Sequence, residues 1–173
     1  MGFKYNRQAT HDHEASVKYP SCLKSLEHLI LKDYNGLTQS ELKSFFSSDP
    51  ADYNILSIDD VEILIAKSEK RNRNCTVDSA FVINKDDEYR ILLVEFRFNY
   101  ENVQNLKRID LLNKISGSQN ILKDTLSYHD KIYFVFDEKL KQLAKNRLMR
   151  MNPRVPQSFE AINLQDLAVY FNP

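Results

Sequence analysis

Tryptophan is absent from this chain of 173 residues, and glycine, proline and cysteine are scarce, at three, five and two. So little glycine and proline, with charged residues spread along the chain, excludes a collagen-like or low-complexity segment. The two lone cysteines, Cys22 and Cys75, have neither metal-ligand spacing nor the pattern of a disulfide framework, which fits a reducing compartment. No early apolar stretch looks like a secretory signal, and no apolar run is long enough to span a bilayer. The expected setting is cytoplasmic, with no membrane partner. Net charge is missing too, because 24 basic and 24 acidic residues cancel. No global field therefore steers the chain toward a polyanion, and a DNA or RNA partner needs local basic patches. With 42% hydrophobic residues, what remains suits one domain with a sizeable core.

The most informative stretch runs from Cys75 to Asn99. Residues 75–83 and 90–99 are short, rich in β-branched, Leu and Phe residues, and joined by a charged connection over 84–89. That pattern predicts a hairpin. Its second arm places Ile91, Leu93, Glu95 and Arg97 on one face and Leu92, Val94, Phe96 and Phe98 on the other. An arm apolar on both faces belongs in the middle of a covered sheet. Charges at Glu95 and Arg97 are costly to bury there unpaired, and the opposite arm carries one acid, Asp78. These three residues are the candidate site.

Around this hairpin, residues 1–19 are polar and aperiodic and read as a solvated arm. Within them His11, His13 and Glu14 have ligand chemistry but no distant partner at metal spacing. Residues 20–58 form a helical lead-in, with Ser21 capping a helix that spans Leu23 to Asp33 and Thr38–Glu41 forming a capping box for a second. Residues 61–67, rich in Ile and Val, are expected to be a strand, followed by a basic turn with Lys70, Arg71 and Arg73. After Asn99 the apolar period changes: Val103, Leu106, Ile109, Leu112 and Ile115 mark one side of a helix over 101–124, with Lys107, Arg108 and Lys114 on its other sides. Gly117 is placed to end or kink it. Residues 131–136 follow as a strand, so the connection reads as a βαβ unit with parallel strands. The remainder, 137–173, reads as a helix capped by Asp137, an edge strand over 159–162 and a short helix capped by Asn163. Its aromatics Tyr170 and Phe171 suit either core packing or a protein partner. The whole is a mixed α/β sheet covered by helices on both faces.

A meander whose second strand carries Asp78, after Val77, and whose third carries the Glu95-Phe96-Arg97 triplet, with the helix and parallel strand that follow, resembles the PD-(D/E)XK restriction-endonuclease-like superfamily. The resemblance covers residues 60–136 and implies an αβββαβ core. It also implies Mg²⁺-dependent hydrolysis of phosphodiesters in DNA or RNA. Asp78 and Glu95 would then hold the cation together with the carbonyl of Phe96. Lys70, Arg71, Arg73, Lys107, Arg108 and Lys114 would contact nucleic-acid phosphates. Small members of such folds often act as a homodimer or with a partner chain.

Two departures from the family pattern bear on chemistry. Arg97 stands where the family usually has lysine, and an arginine cannot act as a base. Gln119 is followed four residues on by Lys123, so the Gln-xxx-Tyr motif of the exonuclease branch is missing. The expectation is therefore a Mg²⁺-dependent nuclease with a degenerate active site formed by Asp78, Glu95 and Arg97. Its alternative is a catalytically inactive module of the same fold that binds nucleic acid or a protein, with the three residues forming a partly buried ion triad.

Overall fold

The alternation across residues 88–97 builds the strand around which the rest is layered. A computed structural model describes residues 2–123 and 125–173. Among them, eight strands form one mixed sheet: β1 (Lys4–Tyr5), β2 (Leu23–Ser25), β3 (Asn54–Ser57), β4 (Ser79–Lys85), β5 (Glu88–Arg97), β6 (Ser127–Tyr128), β7 (Ile132–Phe136) and β8 (Phe159–Ile162). The helices are α1 (Arg7–Asp12), α2 (Glu14–Lys18), α3 (Leu26–Asp33), α4 (Gln39–Lys43), α5 (Ile58–Glu69), α6 (Arg108–Leu122), α7 (Glu138–Arg150) and α8 (Leu164–Ala168).

The sheet runs β2-β3-β4-β5-β7-β8, with β1 beside the far end of β4 and β6 beside the start of β5. Pairs from β2 to β5 are antiparallel, whereas β5, β7 and β8 run parallel. As the hydrophobic pattern predicts, β5 buries both faces. Ile91 and Leu93 pack with Val61 of α5, Leu111 and Ile115 of α6 and Leu148 of α7. Leu92, Val94, Phe96 and Phe98 pack with α3, Leu42 of α4, and Leu164 and Leu167 of α8. Phe134 and Phe136 of β7 are at most 1% exposed, each contributing about 2–3 kcal/mol of apolar burial.

Four expectations fail here, each for a local reason. Residues 61–67 are helical rather than a strand. Ser57 caps α5 by accepting from the Asp60 N–H at 3.4 Å, and Asp59 and Asp60 favour the positive end of the helix dipole. Ile58, Val61 and Ile65 then face the core at helical spacing. The antiparallel partner of β4 is instead the short β3, so a strand precedes α5 where the resemblance implies one after it. Upstream, Ser21 sits in a single 3₁₀ turn, and Ser25 caps α3 by accepting from the His28 N–H at 3.1 Å.

Residues 2–19 are not a solvated arm. Lys4 and Tyr5 pair with Asn84 and Ile83, and the buried Thr10 hydroxyl accepts from the Val82 N–H at 2.9 Å. His13 is buried between Ala15 N–H, which donates to Nδ1, and Thr125 Oγ1, 2.8 Å from Nε2. Last, α6 begins at Arg108 after a 3₁₀ turn over Val103–Asn105. Ile109 is 57% exposed, while Leu111 takes the core position expected of it. The predicted end of this helix at Asp124 lies outside the described residues.

Other expectations agree with the observed elements. The Thr38–Glu41 capping box is present, and Asp137 and Asn163 cap α7 and α8. β5 and β7 are parallel, β8 spans the predicted residues at the sheet edge, and Phe171 packs in the core. Among the described residues, no helix is long and apolar enough to cross a membrane.

Candidate active site

Glu95 lies near the end of β5, only 2% exposed, on the sheet face that α6 covers. A carboxylate so buried needs cationic partners, and it has two. Its Oε1 is 2.9 Å from Arg97 Nη2 and 3.0 Å from Lys114 Nζ, and Lys114 also lies 3.2 Å from Oε2. Arg97 reaches it because residues two apart on a strand share a face. Lys114 comes from the second turn of α6 and donates as well to the Thr76 carbonyl at 2.8 Å.

Asp78 stands one residue before β4. Its backbone carbonyl accepts from the Ile58 N–H at 3.1 Å, and its Oδ2 accepts from the Phe96 N–H at 2.5 Å. The side chain thus substitutes for the ladder acceptor that β5 loses where β4 begins. Burial, then the nearby negative charge of Glu95, pushes the Asp78 carboxyl up to about 8, against the Phe96 hydrogen bond and the charge of Lys114. Burial likewise raises Glu95, opposed by Arg97 and Lys114. The charge of Glu95 thus favours a proton on Asp78.

Residues 75–78 are fixed from behind. Ser118 Oγ accepts from the Val77 N–H at 2.8 Å and donates to the Lys114 carbonyl at 2.8 Å, so one hydroxyl joins the segment to α6. Gly117 allows this approach, since a Cβ there would stand 2.0 Å from the Cys75 carbonyl oxygen. It lies inside α6 and does not end it. Thr76 Oγ1 donates to Asp59 in the first turn of α5, and the charge of Asp59 bears on both Asp78 and Glu95. On the far side, Arg97 donates to Tyr100 OH at 3.3 Å with its guanidinium 5.0 Å from that ring, while its Nε is buried without a partner among the described residues.

The residues singled out from the sequence divide into groups. Asp78, Glu95 and Arg97 come together, with the Phe96 N–H on Asp78 and the Phe96 ring in the opposite core. Lys114, expected on a phosphate-binding surface, is instead inside the acid pair's shell. Arg71 is a structural partner: Nη1 lies 2.6 Å from Glu62 Oε1 and Nε 2.6 Å from Glu69. Lys70, Arg73 and Lys107 are exposed, and Arg108 is half-buried with Nε donating to the Arg154 carbonyl at 3.1 Å. The sequence reading missed Asp59, Thr76 and Tyr100 as neighbours of the site. A capped acidic turn at 57–60 was the visible signal for Asp59; nothing local marked the other two.

In ligand chemistry, Asp78 and Glu95 offer the hard oxygens that suit Mg²⁺, which is usually held by one or two carboxylates and keeps several waters. Among the described residues, no cluster of three or more His, Cys, Asp or Glu side chains is close enough to hold a metal ion. No family model, curated protein or solved structure matches this chain.

Proposed function

We propose that this chain is a divalent-cation-dependent phosphodiesterase acting on DNA or RNA, with Asp78 and Glu95 as its acid pair and Lys114 as the lysine of the site. The observation that carries this reading is the meeting of Lys114 Nζ with Glu95 beside Asp78. Helix α6 supplies beside the two acids the ammonium that residue 97 lacks. Asp78 and Glu95 would hold Mg²⁺, with the Phe96 carbonyl as a third oxygen. The bound ion would polarise a phosphate oxygen and lower the pKa of a water. Arg97 would serve as positive charge toward a phosphate. Lys114 has three donors, directed in part at Glu95 and Thr76.

A second reading is favoured by one fact: both Glu95 oxygens already face cations. It makes the cluster a structural ion network in an inactive module that binds nucleic acid or protein. Calorimetry with Mg²⁺ and Mn²⁺, paired with cleavage of labelled single- and double-stranded DNA and RNA, separates the two. Under the enzymatic reading the wild type binds the ion, Asp78→Ala does not, and Lys114→Ala cuts about 10²–10⁴-fold more slowly with ion binding retained. If the wild type neither binds the ion nor cuts any substrate, the second reading stands.

A further inference from the structure

Away from the acid pair, a cleft of about 760 Å³ lies between α7 and residues 154–157, along the edge of the sheet at β8. Its apolar wall includes the buried Leu148 and Phe159, the half-buried Val155, and Met149, which is 67% exposed. The loop that closes it is tied at two points. Arg108 Nε donates to the Arg154 carbonyl at 3.1 Å, and Lys131 Nζ to the Gln157 carbonyl at 3.0 Å. The cleft is therefore preformed, which lowers the ordering cost of binding.

Its charge is one-sided. Lys131, Lys145 and Arg154 line it against a single acid, Glu160, and that acid is already 3.7 Å from Lys131. Among the described residues, neither the Lys145 ammonium nor the Arg154 guanidinium has a carboxylate partner. Two unpaired cations over an apolar wall call for a ligand that brings both negative charge and apolar side chains. A single-stranded nucleic acid brings the charge, but its bases bind by stacking on exposed aromatic rings, and the one aromatic side chain lining the cleft among the described residues, Phe159, is 8% exposed. An acidic peptide has both parts, and an exposed methionine adapts to varied apolar side chains.

We propose that this cleft docks an extended acidic segment of a partner protein, its apolar side chains against Leu148, Val155 and Met149 and its carboxylates over Lys145 and Arg154. The site is independent of the acid pair and of the catalytic reading. Its test uses a fluorescein-labelled peptide of repeating Glu-Leu-Asp, followed by anisotropy on the full chain across a salt series. Saturable binding is expected to weaken with salt, and to fall about tenfold or more in a K145E/R154E variant. A K18E/K85E control, reversing exposed cations outside the cleft, is expected to bind as wild type does. The same titration of labelled single-stranded DNA and RNA is expected to be insensitive to K145E/R154E. Absence of peptide binding, equal loss in the control, or oligonucleotide binding that depends on Lys145 and Arg154 would each overturn the proposal. Circular dichroism of each variant confirms that folding is retained; should K145E/R154E unfold, Met149→Asp with the same readout takes its place.

Discussion

Replacing Gly117 by alanine sets two effects of opposite sign against each other. In a helix interior alanine is favoured over glycine by about 1 kcal/mol, so local propensity alone makes Gly117→Ala stabilising. The added Cβ, however, would stand 2.0 Å from the Cys75 carbonyl oxygen and 3.1 Å from its carbon. A carbon–oxygen contact needs about 3.3 Å, so two backbones must part by roughly 1 Å. The separation falls on the Val77–Ser118 hydrogen bond and on the Lys114–Thr76 bond, both 2.8 Å. Overpacking costs about 1–3 kcal/mol, and a buried N–H that loses its acceptor about 1–3 more. Less the propensity gain, the net is a loss of about 1–5 kcal/mol. With a urea slope of about 1–3 kcal/mol per molar, the unfolding midpoint should drop by on the order of 1 M. A Gly117→Ala protein with an unchanged slope and a midpoint at or above wild type would refute the close approach of α6 to residues 75–77.

Three further outcomes follow from charges and caps. The folded value of Asp78, about 8, lies above the ordinary value of 3.8, so between those pH values the folded chain holds a proton that the unfolded chain has released. Stability from that proton is complete below about pH 4 and is lost as pH rises toward 8. Urea midpoints in EDTA should therefore decline from pH 5 to pH 8, and Asp78→Asn should flatten the decline; an unchanged slope in Asp78→Asn would count against a protonated Asp78. Glu62 shows the opposite sign, because its hydrogen bonds from Arg71 hold its carboxyl below the usual range. Its contribution is present above pH 4.5 and fades as pH falls, and Arg71→Ala, which strands a buried carboxylate, should lower the urea midpoint at pH 7. Thr38→Ala, which removes the capping box of α4, should cost about 1 kcal/mol by the same measurement.

How far the sequence revealed the fold depends on how local each signal was. β5 was legible because its two faces alternate without a break and both are buried. Caps at Thr38, Asp137 and Asn163 were legible because a cap depends on residues two or three positions apart. In contrast, α5 was misread because Ile and Val dominate its middle, and its start signal, Ser57 followed by Asp59 and Asp60, precedes that run. Strands β2 and β3 are too short for their alternation to register. Residues 2–19 look unstructured in the sequence because what fixes them is largely polar and distant in sequence. Thr10 bonds to Val82, and Lys4 Nζ donates to the Val169 and Asn172 carbonyls.

The site divides along the same line. Asp78, Glu95 and Arg97 were readable as charges breaking apolar strands, and strand geometry alone brings Glu95 and Arg97 together. Lys114 was not, because on α6 it reads as one more cation beside the apolar stripe. Its role depends on the spacing between α6 and residues 75–78. That spacing is set by Gly117, which admits the Cys75 carbonyl, and by Ser118, which holds the Val77 N–H. Both lie within one helical turn of Lys114, so the contacts that join helix to segment also aim the ammonium at Glu95. Arg97 would keep its place beside Glu95 if α6 shifted, since both belong to β5, whereas Lys114 would not. Ser118→Ala should therefore loosen the Lys114–Glu95 contact while sparing Arg97–Glu95. The lysine-dependent part of any cleavage should fall along with stability, and a Ser118→Ala protein that loses stability but keeps full Lys114-dependent cleavage would show that the ammonium is held by something other than this junction.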